Sequence, residues 1–165
     1  PGAGVTDVMQ PFVRGRNDLL EVRKAMAECG AGNCRLFAKI ENREGISAAE
    51  EILPLADMVV IARGDLGNAV PLWTLPRIQK EISEKCLLAD VPFMVVTQML
   101  ASMDRSPVPT RAEVSDIFNA VSDGASAVMI TGESASGLYP VRASEYLVKT
   151  AMEGLKWRRE REKRG

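Results

Sequence analysis

The sequence contains no histidine, and this absence removes several common kinds of active site. Ser-His-Asp and Cys-His catalysis both need an imidazole, as does a zinc ion held by histidine. A metal ion would therefore bind to carboxylates, carbonyl groups and water, which are the ligands of hard cations such as Mg²⁺.

Cysteine is also scarce. Cys29, Cys34 and Cys86 are odd in number and show no Cys-x-x-Cys spacing. A disulfide framework or a zinc ribbon is therefore not expected, and reduced thiols that pack as small core residues fit a cytoplasmic protein better.

Strong charge bias and long apolar runs are missing as well. The 21 basic and 22 acidic residues nearly cancel, so the composition gives no reason to expect a nucleic-acid partner. The longest apolar runs, such as residues 58–62, have the length of a strand rather than of a membrane span, and nothing in residues 1–9 resembles a signal peptide. We therefore expect a cytoplasmic globular protein that binds no membrane.

Short apolar runs alternate with longer segments of helical period along the whole chain, which predicts repeated βα units and a parallel sheet. The interval from Thr110 to Glu113 has the spacing of a helix capping box. Residues 156–165 carry six basic and two acidic side chains, and we expect a basic, solvated helix end there. The length suits a single domain over residues 1–165. The predicted strands are residues 5–13, 35–40, 57–62, 92–96 and 127–130, and the predicted helices begin near residues 17, 47, 73, 110 and 141.

Polar residues and glycines collect where the predicted strands end. In a (β/α)₈ barrel this edge of the sheet builds the active site, and in a doubly wound sheet it holds the ligand crevice. These residues are Lys39 and Glu41, Gly64 and Asp65, Thr97, and Thr131 and Glu133.

The spacing of Lys39 and Glu41 places both side chains on the same side of a strand. The pair is either a simple ion pair or a phosphate-binding ammonium beside a metal-binding carboxylate. On the next strand, residues 64–67 form either an ordinary turn with an aspartate cap or a helix start whose N–H groups bind an anion. Glu41 and Asp65 together would suit Mg²⁺, with substrate and water completing the octahedron.

Other motifs are excluded by their residues. Gly132-Glu133-Ser134 has the wrong order for a Gly-x-Ser-x-Gly motif, and its serine has no histidine base. Neither a Walker A nor a Gly-x-Gly-x-x-Gly motif is present.

Taken together, the motifs resemble the second half of the catalytic barrel of the pyruvate kinase family, over about residues 5–148. The resemblance implies a partial TIM (β/α)₈ barrel, in which about five parallel βα units correspond to strands four to eight. The motifs that carry it, in family order, are Lys39-Ile40-Glu41-Asn42 with Glu44-Gly45, Ala62-Arg63-Gly64-Asp65-Leu66-Gly67, Thr97-Gln98-Met99-Leu100, Pro109-Thr110-Arg111-Ala112-Glu113 and Gly132-Glu133-Ser134-Ala135.

This resemblance implies phosphoryl transfer from phosphoenolpyruvate to ADP, which gives pyruvate and ATP in glycolysis. It implies that Lys39 stabilises charge on the transferring phosphoryl group and that Thr97 helps to organise proton delivery. Glu41 and Asp65 match the ligands of Mg²⁺ or Mn²⁺, and Arg63, Gly64 and Asp65 match the segment that binds substrate. It also implies K⁺, whose ligands lie outside this chain.

The chain also departs from the family pattern. The first three strands, the lid over the nucleotide and the C-terminal allosteric domain are absent, so residues that bind the nucleotide are not assigned. Ala69 and Ser136 stand where many family members carry a glutamate and a lysine. We expect the chain alone to be inactive, and to self-associate or pair with the missing half barrel, because a half barrel exposes two sheet edges.

Two other functions remain open at this stage. One is a metal-dependent lyase of similar barrel fold that acts on enolates of pyruvate or oxaloacetate. The other is a non-catalytic barrel fragment, which the presence of Lys39, Glu41, Asp65 and Thr97 argues against. Turnover that depends on ADP would separate the kinase from the lyase.

Overall fold

The computed structural model describes residues 4–164, which form parallel strands alternating with helices. The predicted α/β class and the parallel pairing of strands are confirmed. The chain divides into two compact units, Pro1–Phe93 and Met94–Gly165. Within residues 4–164, no helix combines the length and the apolar character needed to cross a lipid bilayer.

In the first unit, β1 (Asp7–Gln10) pairs in parallel with β2 (Arg35–Ile40), and β2 pairs in parallel with β3 (Met58–Ala62). Ala38 at the centre of β2 is level with Gln10 on one side and with Val59 on the other. The three strands therefore end at the same edge of the sheet. The elements are β1 (Asp7–Gln10), α1 (Arg16–Glu28), β2 (Arg35–Ile40), α2 (Arg43–Ser47), α3 (Ala49–Ile52), β3 (Met58–Ala62), α4 (Arg63–Ala69) and α5 (Leu75–Leu88).

The core of this unit forms because β2 is apolar on both faces, as a parallel strand covered by helices must be. Helix α1 contributes Leu19 and Met26, which lie two turns apart on one face. The helix is followed by Gly30, whose φ of +75° suits glycine. The buried cluster consists of Val13, Leu19, Met26, Cys34, Leu36, Ala38 and Ile52.

Three sequence predictions for this unit need correction. The first strand ends at Gln10 rather than residue 13, because Pro11 has no N–H for the ladder and Phe12 turns the chain with a φ of +52°. The second helical segment begins at Arg43, not Ser47, because the side chain of Asn42 caps it. A short 3₁₀ turn precedes α5, so that helix begins at Leu75 rather than residue 73.

In the second unit, β4 (Phe93–Val96) pairs in parallel with β5 (Ala127–Met129), and Val95 is level with Val128. The predicted capping box is confirmed: Thr110 accepts the N–H of Glu113, and the Glu113 carboxylate accepts the N–H of Thr110. Helix α8 packs closely on α6 at Gly154, where an added Cβ would lie 3.0 Å from the Phe118 carbonyl oxygen. The elements are β4 (Phe93–Val96), α6 (Arg111–Ser122), β5 (Ala127–Met129), α7 (Gly132–Ala135) and α8 (Pro140–Glu162).

The three cysteines are free thiols. Cys34 and Cys86 are buried as predicted, and burial raises the pKa of the Cys86 thiol to about 12. Cys29 is exposed, which corrects the expectation that all three are core residues. Residue 165, at the end of the predicted basic tail, lies outside the described residues, whereas α8 includes residues 156–162.

Candidate active site at the carboxyl ends of the strands

Lys39 and Glu41 form an ion pair at the carboxyl end of β2. The distance from Lys39 Nζ to Glu41 Oε1 is 2.6 Å. The Glu41 side chain is 0% exposed and that of Lys39 is 24% exposed, so the carboxylate is desolvated while the ammonium still reaches water. The prediction that both side chains lie on the same side of the strand is confirmed.

The second oxygen of Glu41 fixes the loop that follows β1. Glu41 Oε2 accepts the backbone N–H of Phe12 at 2.7 Å. Phe12 has a φ of +52°, which is unusual for a large side chain and needs support from its surroundings. Glu41 therefore joins the ends of β1 and β2. Within residues 4–164, no hydrogen bond of acceptable geometry reaches Oε1, whose close contact is the Lys39 ammonium.

Asn42 and Gly45 complete this arrangement. The Asn42 side chain accepts the N–H of Gly45 at 2.7 Å and donates to the Val13 carbonyl oxygen at 3.3 Å. A Cβ on Gly45 would lie 2.5 Å from that same Val13 oxygen, so only glycine fits here. The Lys-Ile-Glu-Asn segment and the following glycine thus have a common physical purpose, which is to hold the β1 and β2 loops together.

Arg63, Gly64 and Asp65 lie in the first turn of α4, which begins directly where β3 ends. Of the two predicted alternatives, an ordinary turn or a helix start, the structure has the helix start. Arg63 is 8% exposed, whereas Asp65 is exposed to solvent and is the acidic residue of that first turn. A carboxylate in this position is stabilised by the helix dipole.

The loops after β2 and β3 are neighbours in the first unit. Ile40 is level with Ile61 in the parallel register. The next residues, Glu41 and Ala62, are therefore also level with each other, and Ala62 is followed directly by α4. Paired strands lie about 4.8 Å apart. In addition, Arg43 Nε donates to the Ala69 carbonyl oxygen at 2.6 Å, which ties the start of α2 to the end of α4.

The donor set at this edge fits a hard divalent cation. Glu41 supplies a buried carboxylate with one oxygen outside any hydrogen bond, and Asp65 supplies an exposed carboxylate from the neighbouring loop. Mg²⁺ characteristically binds one or two carboxylates and keeps water or substrate oxygens as its other ligands. Among residues 4–164, no group of three or more acidic or cysteine side chains is arranged to hold a metal ion.

Thr97 belongs to the second unit and directly follows β4. Its φ is +70°, and that of Gln98 is +53°, so two consecutive residues occupy the left-handed region. A β-branched residue rarely adopts this conformation. The Thr97 hydroxyl donates to the Val96 carbonyl oxygen at 2.6 Å, so its orientation depends on the turn.

Two glutamates bind the segment that follows Thr97. Glu133 accepts the N–H of Leu100 at 3.0 Å and that of Thr131 at 2.8 Å. Glu113 accepts the N–H and the hydroxyl of Ser102, at 2.7 and 2.6 Å. Burial acts to raise the pKa of Glu113, but its hydrogen bonds with Ser102 and Thr110 outweigh it and hold that pKa below its ordinary value.

Comparison with known proteins places the chain in a family. A family model described as pyruvate kinase, barrel domain, matches residues 2–144. The chain belongs to the pyruvate kinase family.

Curated pyruvate kinases agree with this family membership. The chain is 45% identical over 146 residues to the pyruvate kinase of Clostridium acetobutylicum, which covers 88% of this chain and 31% of the relative. It is 44% identical over 149 residues to that of Geobacillus stearothermophilus (90% and 25%) and 45% identical over 145 residues to that of Candida albicans (88% and 29%). The chain thus spans between about a quarter and a third of the length of these pyruvate kinases.

Sequence reasoning missed the role of Phe12 and did not recognise Glu133 as a residue that binds two loops. The signal for Phe12 was the preceding Pro11, which ends the strand ladder. The contact of Glu133 with Leu100 has no local signal, because these residues are 33 positions apart and become neighbours only through the pairing of β4 with β5.

Proposed function

We propose that this chain carries the metal-binding and phosphoenolpyruvate-binding part of a pyruvate kinase active site. The reaction transfers the phosphoryl group of phosphoenolpyruvate to ADP and gives pyruvate and ATP. Membership of the family supports this proposal. Since the chain spans only part of its relatives, ADP and K⁺ would be bound mainly by residues outside it.

The observation that carries the proposal is the buried Glu41 carboxylate beside the Lys39 ammonium, at the ends of paired parallel strands. Phosphoryl transfer passes through a loose transition state, so it requires positioned positive charge more than a nucleophilic side chain. A half-buried ammonium held 2.6 Å from a carboxylate is such a positioned charge. This chemistry also needs no histidine, in keeping with the composition.

In this proposal Glu41 and Asp65 hold Mg²⁺ or Mn²⁺. The bound ion would supply Lewis-acid stabilisation of negative oxygens on the substrate. Lys39 stabilises the charge on the phosphoryl group and on the enolate oxygen. Arg63, Gly64 and Asp65 bind the substrate at the start of α4.

Thr97 is proposed to orient proton delivery to the enol carbon once the phosphoryl group has left. Its hydroxyl is already held by a backbone contact, and its left-handed turn marks it as a position where the fold maintains a strained conformation. Strain of this kind concentrates at functional sites.

We also propose that the five strands correspond to the last five of an eight-stranded barrel. Such a half barrel leaves sheet edges uncovered, which favours self-association or pairing with a complementary half. The chain alone, supplied with phosphoenolpyruvate, ADP, Mg²⁺ and K⁺, should therefore give little ATP. Robust ATP formation by the chain alone would contradict this part of the proposal.

A chimera tests the function directly. The 146-residue segment of this chain replaces the matching segment of the Clostridium acetobutylicum enzyme, to which it is 45% identical. We expect ATP formation from phosphoenolpyruvate and ADP. Lys39→Met should reduce kcat by at least about 100-fold, as the loss of an electrostatic stabiliser does, whereas Lys24→Met, on an exposed lysine of α1, should leave kcat unchanged.

An inactive chimera that is correctly folded would contradict the proposal. Turnover of enolate substrates without any requirement for ADP would instead favour the lyase function. The requirement for ADP therefore decides between the two enzymes.

A further inference from the structure

We propose that Glu133 is a positioning residue that fixes the conformation of the loop bearing Thr97. This inference rests on the proposed function, because that proposal gives Thr97 its role in proton delivery. Both oxygens of the Glu133 carboxylate accept backbone N–H groups, so Glu133 acts through the backbone rather than on the substrate.

The hydrogen bonds of Glu133 compensate the cost of burying its carboxylate. The residue is 3% exposed, and a buried carboxylate is costly unless its oxygens are paired. Its Oε1 accepts the N–H of Leu100 and its Oε2 accepts the N–H of Thr131. The carboxylate thus joins the loop after β4 to the loop after β5, and each oxygen satisfies one backbone donor. Charged hydrogen bonds of this type are stronger than neutral ones.

The loop between β4 and Leu100 needs such an anchor. Thr97 and Gln98 are both left-handed, and a pair of non-glycine residues in this region persists only when the surroundings hold them. One end of the loop is fixed by β4, which ends at Val96. The other end is fixed by Leu100, which is fully buried and bonded to Glu133. Glu133 therefore anchors the end of the segment that contains the strained turn.

Glu113 does not serve the same purpose for Thr97. It bonds to Ser102, beyond Leu100, and its carboxylate also completes the capping box of α6. A change at Glu113 would therefore disturb the start of α6, whereas a change at Glu133 acts on Leu100 and on Thr131, the residue that precedes α7.

The substitution Glu133→Gln tests the inference in the chimera that contains this chain. Glutamine has nearly the same volume, but its NH₂ group would face one of the two backbone N–H donors, so one hydrogen bond is replaced by a donor–donor contact. We expect kcat to fall by about 10- to 100-fold, as misplacement of a reacting group does, with little change in KM for phosphoenolpyruvate. Glu84→Gln, on an exposed glutamate of α5, is the matched control and should change neither value.

Two readouts separate positioning from general destabilisation. Exchange of deuterium into the methyl group of pyruvate reports proton transfer at carbon without phosphoryl transfer, and Glu133→Gln should slow it at least as much as it lowers kcat. Hydrogen exchange of the peptide that contains Thr97–Leu100 should become faster in the variant, because the Leu100 N–H loses its acceptor. A variant with unchanged kcat and unchanged methyl exchange would overturn the inference, as would a rise in KM alone.

Failure of the inference differs from failure of the proposed function. An inactive chimera with Glu133 intact contradicts the function, whereas an active chimera that tolerates Glu133→Gln contradicts only the role of Glu133. If Glu133→Gln does not fold, Glu133→Asp replaces it, because its shorter carboxylate reaches one of the two N–H groups. An intermediate loss of kcat in Glu133→Asp supports the inference, and wild-type kcat overturns it.

Discussion

Glu41 in the first unit and Glu133 in the second are both buried glutamates beyond the carboxyl end of a strand, yet their oxygens have different partners. Glu133 gives both oxygens to backbone N–H groups. Glu41 gives one oxygen to the Phe12 N–H and turns the other toward the Lys39 ammonium. Two carboxylates with similar burial therefore have different chemistry available to them.

The difference shows that burial alone does not identify a metal ligand. A carboxylate whose oxygens both accept backbone hydrogen bonds is a structural element, because releasing either bond leaves a buried donor unpaired. A carboxylate with one oxygen beside a cation can exchange that partner for a metal ion or reorganise with substrate. This difference supports the proposals that Glu41 acts in the reacting part of the site and that Glu133 supports that part.

The largest expected effect is that of Glu41→Gln in the chimera. The glutamine can still accept the Phe12 N–H, but it removes the negative charge beside Lys39 and one proposed metal ligand. We expect kcat to fall by at least about 1,000-fold, which corresponds to about 4 kcal/mol of lost transition-state stabilisation. Steady-state kinetics at saturating Mg²⁺ measure this, and a variant with more than a tenth of the wild-type kcat would contradict the assignment.

A smaller effect is expected from Gly45→Ala, which disturbs the support of Glu41 without changing any charge. The new Cβ would lie 2.5 Å from the Val13 carbonyl oxygen, so the backbone must shift, at a cost of about 2 kcal/mol in the free energy of unfolding. Gly15→Ala is the control, since its Cβ would meet Ala48 Cβ at an ordinary 3.7 Å and Gly15 is extended (φ 172°). Urea unfolding measures the stability of both variants. Equal stabilities would show that the close packing of Gly45 against Val13 is unimportant.

The sequence predicts much of the fold where the signal is local. Residues 35–40 form β2 as predicted, because a continuous apolar run bounded by polar residues leaves little ambiguity. The capping box at Thr110 has a fixed three-residue spacing and is likewise confirmed. The start of α2 is not evident from apolar periodicity, because it depends on the Asn42 side chain accepting the N–H of Gly45.

The candidate site could be predicted only in part. That Lys39 and Glu41 lie on the same side follows from strand alternation, and their contact at 2.6 Å confirms it. The contacts of Glu41 with Phe12 and of Glu133 with Leu100 join residues about thirty positions apart, and no local pattern encodes them. They depend on the parallel register, which only the folded chain provides.

The smallest predicted effect concerns Glu113, a third carboxylate that gives its oxygens to a loop. Its pKa is below the ordinary value in the folded chain, so its stabilising contribution is present above the ordinary carboxyl pKa of 4.5 and is lost as the pH falls through the folded value. Glu113→Gln should therefore be less stable than the wild type at pH 6, and the difference should shrink toward pH 3. Urea unfolding at both pH values measures this, and a difference that grows toward pH 3 would contradict the account.

Mn²⁺ affinity tests the comparison of the two glutamates most directly. Loss of a residue that merely orients a metal ligand costs about 10- to 100-fold in affinity, so loss of a ligand itself should cost at least about 100-fold. Titration of the chimera with Mn²⁺, followed by electron paramagnetic resonance, should show that loss in Glu41→Gln and near wild-type affinity in Glu133→Gln. Wild-type affinity in Glu41→Gln, or a loss confined to Glu133→Gln, would contradict the account.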